Sequence, residues 1–177
     1  MKLKLNRRSL DRVEADTKER LNRVLSNKEM LGEVGDMAID MIRQNTRKGT
    51  STVTDQKFAP LSKPWMKTRD KIASSQGTHP TYAKKRSNLT LSGQLLDSMK
   101  RSVVGRMVTI FFDGTHVPYR IQTRKGISRV GKLIKNSRLA QYVAEQGRPF
   151  FGFSKAFESK LLAQVKRVVI RYIRRNL

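Results

Sequence analysis

The residue types most able to do chemistry in this chain are lysine and arginine. The 177 residues include 38 Lys and Arg against 14 Asp and Glu, which gives a formal net charge of +24 at pH 7. Basic side chains neutralise phosphates and release the counterions condensed on a nucleic acid, so the resulting affinity depends on salt and not on base sequence. The same charge could face solvent or an acidic protein. Composition alone leaves nucleic-acid and protein partners equally open.

The positive charge is unevenly distributed along the chain. Residues 1–40 contain nine basic and eight acidic side chains, whereas residues 41–177 contain 29 basic and six acidic ones. No acid lies between Asp113 and Glu145, where the basic residues are Arg120, Arg124, Lys125, Arg129, Lys132, Lys135 and Arg138. A second basic set lies on the last predicted helix, away from its apolar stripe, and comprises Lys160, Arg167, Arg171, Arg174 and Arg175. We expect both sets to contact DNA or acidic neighbours.

One short pattern suggests a phosphate-binding loop, the G-x-x-x-x-G-K sequence from Gly126 to Lys132. The next residue is Leu133, where such a loop has a Ser or Thr that ligates magnesium, and the residues before it are polar rather than a buried strand. The sequence therefore favours a flexible basic loop. An NTP-driven assembly factor stays a third hypothesis, which requires nucleotide binding that Lys132→Ala abolishes.

Residues for nucleophilic or metal chemistry are sparse. The chain has no cysteine. Its two histidines, His79 and His116, lie 37 residues apart, and neither has a carboxylate at the spacing of metal ligands. Both histidines are interpreted as surface or turn residues. The carboxylates after residue 41 are scattered singly, whereas a two-metal site needs several that converge. We expect no enzyme activity, no cofactor and no metal.

Helical periodicity predicts an αα-hairpin over residues 1–45. Ser9 can cap a first helix whose apolar residues recur at helical spacing, at Leu10, Val13, Thr17, Leu21, Val24 and Leu25. A second helix is predicted from about Lys28 to Asn45, with its inward face at Leu31, Val34, Ala38, Met41 and Ile42. The acids of the first helix alternate with bases, which is typical of an exposed opposite face.

Shorter elements are predicted between this hairpin and the C-terminal helix. Residues 46–60 and 74–88 are expected to be loops, Ser62 to cap a short helix, and Thr90 to cap another from Leu91 to Met99. Strands are predicted at 103–104, 107–112 and 117–122, with a tight turn at 105–106, followed by a helix at 137–146. Ser154 is expected to cap the last helix, whose apolar residues are Leu161, Leu162, Val165, Val168, Val169, Tyr172 and Ile173.

These elements predict one α+β domain over residues 1–177, with helices at both ends packed on a small antiparallel β-sheet. Its parts are the αα-hairpin (1–45), a loop-rich segment with a short helix (46–88), a segment with a short helix, strands and the basic loop 120–138 (89–153), and the C-terminal helix (154–177). A membrane span needs about 20 apolar residues, and the longest apolar runs here are only a few residues. We therefore expect no membrane association.

Four segments in order resemble the phage virion morphogenesis family, the tail-completion proteins of tailed phages. They are Phe58-Ala59-Pro60-Leu61-Ser62 followed by Trp65, the Leu-Thr-x-Ser-Gly-x-Leu motif from Leu89 to Leu95, the stretch from Gly114 to Gln122, and Gly147-Arg148-Pro149-Phe150-Phe151-Gly152. The agreement in order covers roughly residues 30–177. Two positions depart from the family pattern. Arg120 stands where the family has an alanine after the tyrosine, and Gln122 or Thr123 stands where the family often has a histidine. Residues 127–146 are also longer and more basic than in the family.

The resemblance implies a non-enzymatic virion protein that acts in tail completion or head-to-tail joining, as a homo-oligomeric ring for which we expect a hexamer. Its expected partners are the tail tube or tail terminator, the head connector and the DNA in the channel, and its expected locations are the virion neck and, during assembly, the host cytoplasm. Candidate assembly or packing anchors are Trp65, Leu91, Gly93, Leu95, Pro149, Phe150, Phe151 and Phe153. The aromatic anchors could equally complete the subunit's own core. The alternative function is a free basic protein that binds nucleic acid through sequence-independent phosphate contacts.

Overall fold

The structure is a computed structural model that describes residues 7–76, 93–123, 126–130 and 132–176. The helices are α1 (Arg7–Leu25), α2 (Lys28–Arg47), α3 (Lys63–Gln76), α4 (Gln94–Asp97), α5 (Asn136–Glu145) and α6 (Lys155–Asn176). The strands are β1 (Met99–Val104), β2 (Met107–Phe112), β3 (Thr115–His116), β4 (Tyr119–Thr123), β5 (Gly126–Val130) and β6 (Ile134–Lys135). The predicted α+β class is confirmed. No helix in these ranges is long and apolar enough to cross a bilayer.

The strands of the described segments form three separate antiparallel pairs, β1 with β2, β3 with β6 and β4 with β5, instead of the single small sheet that was expected. The predicted turn at Gly105-Arg106 is confirmed, and Gly105 has φ +60°, a left-handed conformation that glycine adopts at little cost. The β1–β2 register pairs Val104 with Met107 and Lys100 with Phe111. Because side chains alternate across a strand, these four residues share one face of the hairpin.

Helix α2 covers the opposite face of the β1–β2 hairpin at unusually short range. A Cβ atom at Gly35 would lie 2.6 Å from Cδ of Arg101 and 2.9 Å from Cγ1 of Val108, and one at Gly32 would lie 2.8 Å from the Arg101 guanidinium. The Arg101 side chain crosses α2 in the space that these glycines leave, and it donates two hydrogen bonds to Asp36, at 2.6 and 2.9 Å. Two glycines inside a helix lower its intrinsic stability. Here they permit the close packing of helix and hairpin.

The main hydrophobic core joins segments that are distant in sequence. Ile39 and Ile42 of α2 pack with Leu95 and Leu96 of α4 and with a set of residues from the rest of the chain, Phe58, Met99, Ala140, Phe150 and Phe157. The stretch before α6 is held against the loop after α2, because Thr52 Oγ1 donates to the Phe150 carbonyl at 2.8 Å. The backbone N–H of Ser154 donates to the Thr52 carbonyl at 2.7 Å. The loop predicted at 46–60 is therefore fastened to the entry of α6.

A second, smaller cluster anchors the C-terminal helix. Val24 at the end of α1 and Met30 at the start of α2 pack with Val168 and Tyr172 of α6. Two of the helix starts are capped by side chains: Asn27 Oδ1 accepts from the Met30 N–H, and Ser154 Oγ accepts from the Phe157 N–H, both at 3.0 Å. The predicted cap at Ser154 is thus confirmed. Helix α6 is held by α1 and α2 along one stripe.

Several predicted elements are wrong in extent or surroundings. The helix expected to reach Met99 ends at Asp97 and β1 begins at Met99, while Thr90 and Leu91 lie outside the described residues. The segment 120–138 is not a loop, because it contains β4, β5, β6 and the first turn of α5. On α6, Leu162 is exposed instead of inward. The largest departure concerns α1, in which every side chain from Glu14 to Arg23 is exposed, Leu21 of the predicted apolar stripe included.

The glycines of α2 provide a matched pair of stability tests. Gly35→Ala should lower the free energy of unfolding by about 1 to 3 kcal/mol, because the added methyl meets Arg101 Cδ and Val108 and overpacks the interface. Gly32→Ala meets only the mobile guanidinium of Arg101, and the gain in helix propensity offsets the displaced ion pair, so we expect a change within about 1 kcal/mol. Urea unfolding measures both. Equal effects of the two substitutions would contradict this account of the packing.

Candidate functional site

The basic face of α6 is the most coherent charged surface among the described residues. Its members, Lys160, Arg167, Arg171, Arg174 and Arg175, are all exposed, as the helical spacing predicted. The opposite stripe, at Val168 and Tyr172, is buried against α1 and α2. Since the helix rises 1.5 Å per residue, the face from position 160 to position 175 extends over about 22 Å. Such a line of cations is long enough to follow several phosphates of a nucleic-acid backbone.

Within the described residues, many of the acids are paired with bases that lie outside this face. On α1 three acids each have a base one turn later, in the pairs Glu14–Lys18, Asp16–Arg20 and Glu19–Arg23. The acids of the body pair as Asp36–Arg101, Asp40–Arg43 and Asp97–Arg47. Of the basic face only Arg171 is paired, with Glu33 of α2. The other four bases of the face have no carboxylate partner in the described ranges.

The second predicted basic set is carried by a different part of the fold. Arg120 lies in β4 and Arg129 in β5, and the register makes them cross-strand partners. Lys132, Lys135 and Arg138 are exposed near β6 and the start of α5, while Arg124 and Lys125 lie outside the described residues. The β4–β5 hairpin packs against α3, whereas α6 packs against α1 and α2. The two basic sets are therefore presented by separate packing units.

The candidate anchors divide between core and surface. Phe150 and Leu95 are buried in the main core, where they pack within the protomer. Gly93 is the N-cap of α4 with φ +76°, which gives it a conformational role, and Pro149 is half-buried. Trp65, Phe151 and Phe153 are exposed, although Phe151 contacts the ring of Phe112 and Phe153 stacks on Phe157. Leu91 lies outside the described residues.

A buried and a half-buried arginine were missed by the sequence reasoning, which treated basic residues as surface charge. Arg69 of α3 is almost fully buried, and Arg148 donates to the carbonyls of Ala59 and Pro60, at 3.2 and 3.1 Å. Burial, together with the neighbouring Arg69, lowers the pKa of Arg148. An arginine remains charged under such conditions. Arg69 therefore places positive charge beneath the surface, and the half-buried Arg148 places a second charge against the Phe58–Leu61 segment.

Chemical sites of other kinds find little support in the described residues. No group of three or more His, Asp or Glu side chains there could hold a metal ion. An open groove of about 470 Å³ lies between α2 and β1, and four of its five charged side chains are engaged with other groups of the protein. There Arg101 binds Asp36, and Arg43 donates to the carbonyls of Leu96 and Asp97. The G-x-x-x-x-G-K pattern begins with strand β5 instead of the predicted flexible loop, a geometry that a phosphate-binding loop does not have.

His116 is buried, contrary to its interpretation as a surface or turn residue. It ends the short strand β3, where it is the cross-strand partner of Ile134. Burial lowers the pKa of its imidazole, because desolvation disfavours the charged form. His116 is thus a structural residue that is stable in its neutral form, while His79 lies outside the described residues.

Comparison with known proteins adds no relative. No protein-family model, no curated protein and no solved structure matches the chain.

The burial of His116 predicts a pH dependence of stability. In the unfolded chain the imidazole takes up a proton near its ordinary pKa of 6.5, but in the folded protein only at lower pH. Acidification through this range therefore favours unfolding. Between about pH 7.5 and about pH 5.5, the melting temperature of the His116→Gln variant should therefore fall by less than that of the wild type. His79 is common to both proteins and cancels in the difference. An equal or larger loss in the variant would contradict the assignment.

Proposed function

We propose that this protein is a structural virion component of a tailed phage that acts in tail completion or head-to-tail joining, as a subunit of a homo-oligomeric ring around the DNA channel. The proposal begins from the four segments that resemble the tail-completion family. It assigns no catalytic step to the chain. The ring, its neighbours and its place in the neck belong to the proposal as well.

One observation carries most of the weight: three of the resembling segments, far apart in sequence, meet in one core. Phe58 comes from the first segment, Leu95 from the second and Phe150 from the last, and all three are buried in the same cluster. Arg148 adds direct hydrogen bonds between the first and last segments, through the carbonyls of Ala59 and Pro60. Segments that are far apart in sequence but pack in one core stabilise the same fold together. This supports reading them as one family pattern instead of three chance similarities.

The distribution of charge also supports a place beside DNA. Six acids of α1 and α2 are paired with bases, and exposed basic residues lie on α6 and around the segment 120–138. A chain of net charge +24 repels copies of itself, and this repulsion falls when a polyanion lies alongside. DNA passing through a ring would provide that polyanion. An acidic neighbouring subunit would serve the same purpose on the outer side.

The exposed basic face of α6 also favours the alternative, a free protein that binds nucleic acid without sequence preference. The two functions differ in what the isolated subunit does. A channel wall gains its affinity from many subunits arranged around one duplex, so a single subunit needs only weak phosphate contacts. A free nucleic-acid-binding protein must bind tightly alone. Tight, salt-dependent binding of duplex DNA by the monomer, without tail proteins, would favour the alternative.

The proposed role in joining is tested in the phage that encodes the chain. An early stop codon in its gene should leave DNA-filled heads and separate tails, and addition of the purified protein to such a lysate should restore joined, infectious particles. Electron microscopy and plaque titre measure the outcome. Normal joined particles in the absence of the protein would refute the proposal.

The basic face of α6 can be tested with a control of equal charge. Arg167→Glu, Arg174→Glu and Arg175→Glu together should reduce joining of heads and tails at least tenfold, because the face would then repel the polyanion or acidic partner that it contacts. The control reverses Lys63, Lys67 and Lys71, which are exposed on α3, and so alters the net charge by the same amount. Equal loss in both variants would show that only total charge matters. Where the free protein binds DNA, the α6 variant should also reduce the slope of log affinity against log salt by about 2 to 3.

A further inference from the structure

The basic face of α6 is bordered by carboxylates on the side that is next to α2. Arg171 donates a hydrogen bond to Glu33 and forms an ion pair with it. Burial raises the pKa of the Tyr172 hydroxyl, and the carboxylates of Glu29 and Glu33 raise it further, so both acids lie beside the same turn of α6. Because carboxylates repel phosphates, a polyanion that meets α6 is favoured on the side away from this border.

Three bases form a row on that side of the helix, Lys160, Arg167 and Arg174, which we call the outer row. They are seven residues apart, so they recur every two turns, about 10.5 Å from one to the next. The helical geometry places them about 20 to 60° farther round α6 from the buried Val168 than Arg171 is. All three are exposed, and none has a carboxylate partner in the ranges that the structure describes.

The composition of this side of α6 fits a phosphate backbone better than an acidic protein surface. After Glu158 the helix contains no acid, and its exposed bases are Lys160, Lys166, Arg167, Arg171, Arg174 and Arg175. Protein interfaces are depleted of charge at their centre, where apolar and aromatic side chains supply the contact area. The neighbours of the outer row offer little such area, because Ala156 and Ala163 are small and Ile170 is only 38% exposed. Interfaces with DNA are much more positive.

The length of the outer row also fits a duplex. From Lys160 to Arg174 the row extends over about 21 Å of the helix axis. Duplex DNA carries one negative charge for about every 1.7 Å of its axis when both strands are counted, so a row laid along it faces charge over its whole length. Contacts of this kind do not depend on base sequence. They suit DNA that passes through a ring.

We infer that the outer row of α6 contacts the phosphate backbone of duplex DNA, and that Glu33 keeps Arg171 out of this contact. The ion pair holds the guanidinium of Arg171 toward α2, and the carboxylate neutralises it. The outer row then supplies about three phosphate contacts per subunit. The inference deepens the proposed function, on which it rests for the choice of duplex DNA as the polyanion.

The first test removes members of the outer row one at a time. Fluorescence anisotropy measures how nuclease-treated protein binds a duplex of about 20 base pairs, at roughly 20 to 150 mM salt, where weak phosphate contacts are measurable. Arg167→Gln and Arg174→Gln should each lower the slope of log affinity against log salt by about 0.9. Lys67→Gln, at an exposed residue of α3, changes the net charge equally and should leave the slope as in the wild type. Circular dichroism verifies the fold of each variant.

The second test releases Arg171. Glu33→Gln removes the carboxylate of the ion pair, so binding should tighten roughly threefold or more and the slope should increase by about 0.9. Adding Arg171→Gln to this variant should return the slope to the wild-type value, because the gained cation is removed. Asp40→Asn is the matched control, since it removes an exposed carboxylate of the same helix that is paired with Arg43, and it should leave the slope unchanged.

Three results would overturn the inference. They are a wild type that does not bind the duplex at about 20 mM salt, outer-row variants that keep the wild-type slope, and a Glu33→Gln variant that binds no tighter than Asp40→Asn. A polyglutamate peptide with the same number of charges represents an acidic protein partner. Outer-row substitutions that weaken binding of this peptide and leave duplex binding unchanged would also overturn it. Joining of heads and tails is measured separately, so the proposed function can survive each of these results.

Discussion

The close contact between α2 and the β1–β2 hairpin is the interaction on which the rest of the structure depends. Gly32 and Gly35 remove the side chains that would keep the hairpin away, and Arg101 fills the resulting space and binds Asp36. Helix α2 contributes Ile39 and Ile42 to the main core and Met30 to the smaller cluster with α6. Its position relative to the hairpin therefore determines where both cores form and how α6 lies on the surface.

The net charge is the second constraint, and the fold places paired acids and unpaired bases on different surfaces. A protein with 38 bases and 14 acids cannot pair most of its cations internally, so the location of the acids decides which surfaces stay strongly positive. Here many acids lie on α1 and α2 and are paired there, and the outer face of α6 keeps its cations exposed. Exposed ion pairs contribute little to stability. Their larger effect is on where the net charge lies, because residues 14–23 of α1 are neutral while the outer face of α6 stays positive.

Much of the local structure could be predicted from the chain. The hairpin turn at Gly105-Arg106, the cap at Ser154 and the end of α5 at Gly147 follow from short-range preferences that operate within a few residues. The exposure of the α6 basic face followed from helical periodicity. Two glycines within a predicted amphipathic helix were the available signal for the close packing of α2, because glycine is costly there unless something approaches the backbone.

The sequence by itself determined the long helices, the β1–β2 turn, the α+β class and the excess of positive charge, because periodicity, turn residues and composition act locally or sum over the chain. Only the tertiary structure decided that Arg69 and His116 are buried and that Arg148 donates to the Ala59 and Pro60 carbonyls, since such contacts depend on which distant segments come together. The same holds for α1. Its spacing predicts an apolar stripe, but whether that stripe meets the protomer's own core depends on how the whole chain packs. In this fold Val24 of the stripe is buried in the cluster with α6, whereas Leu21 is exposed.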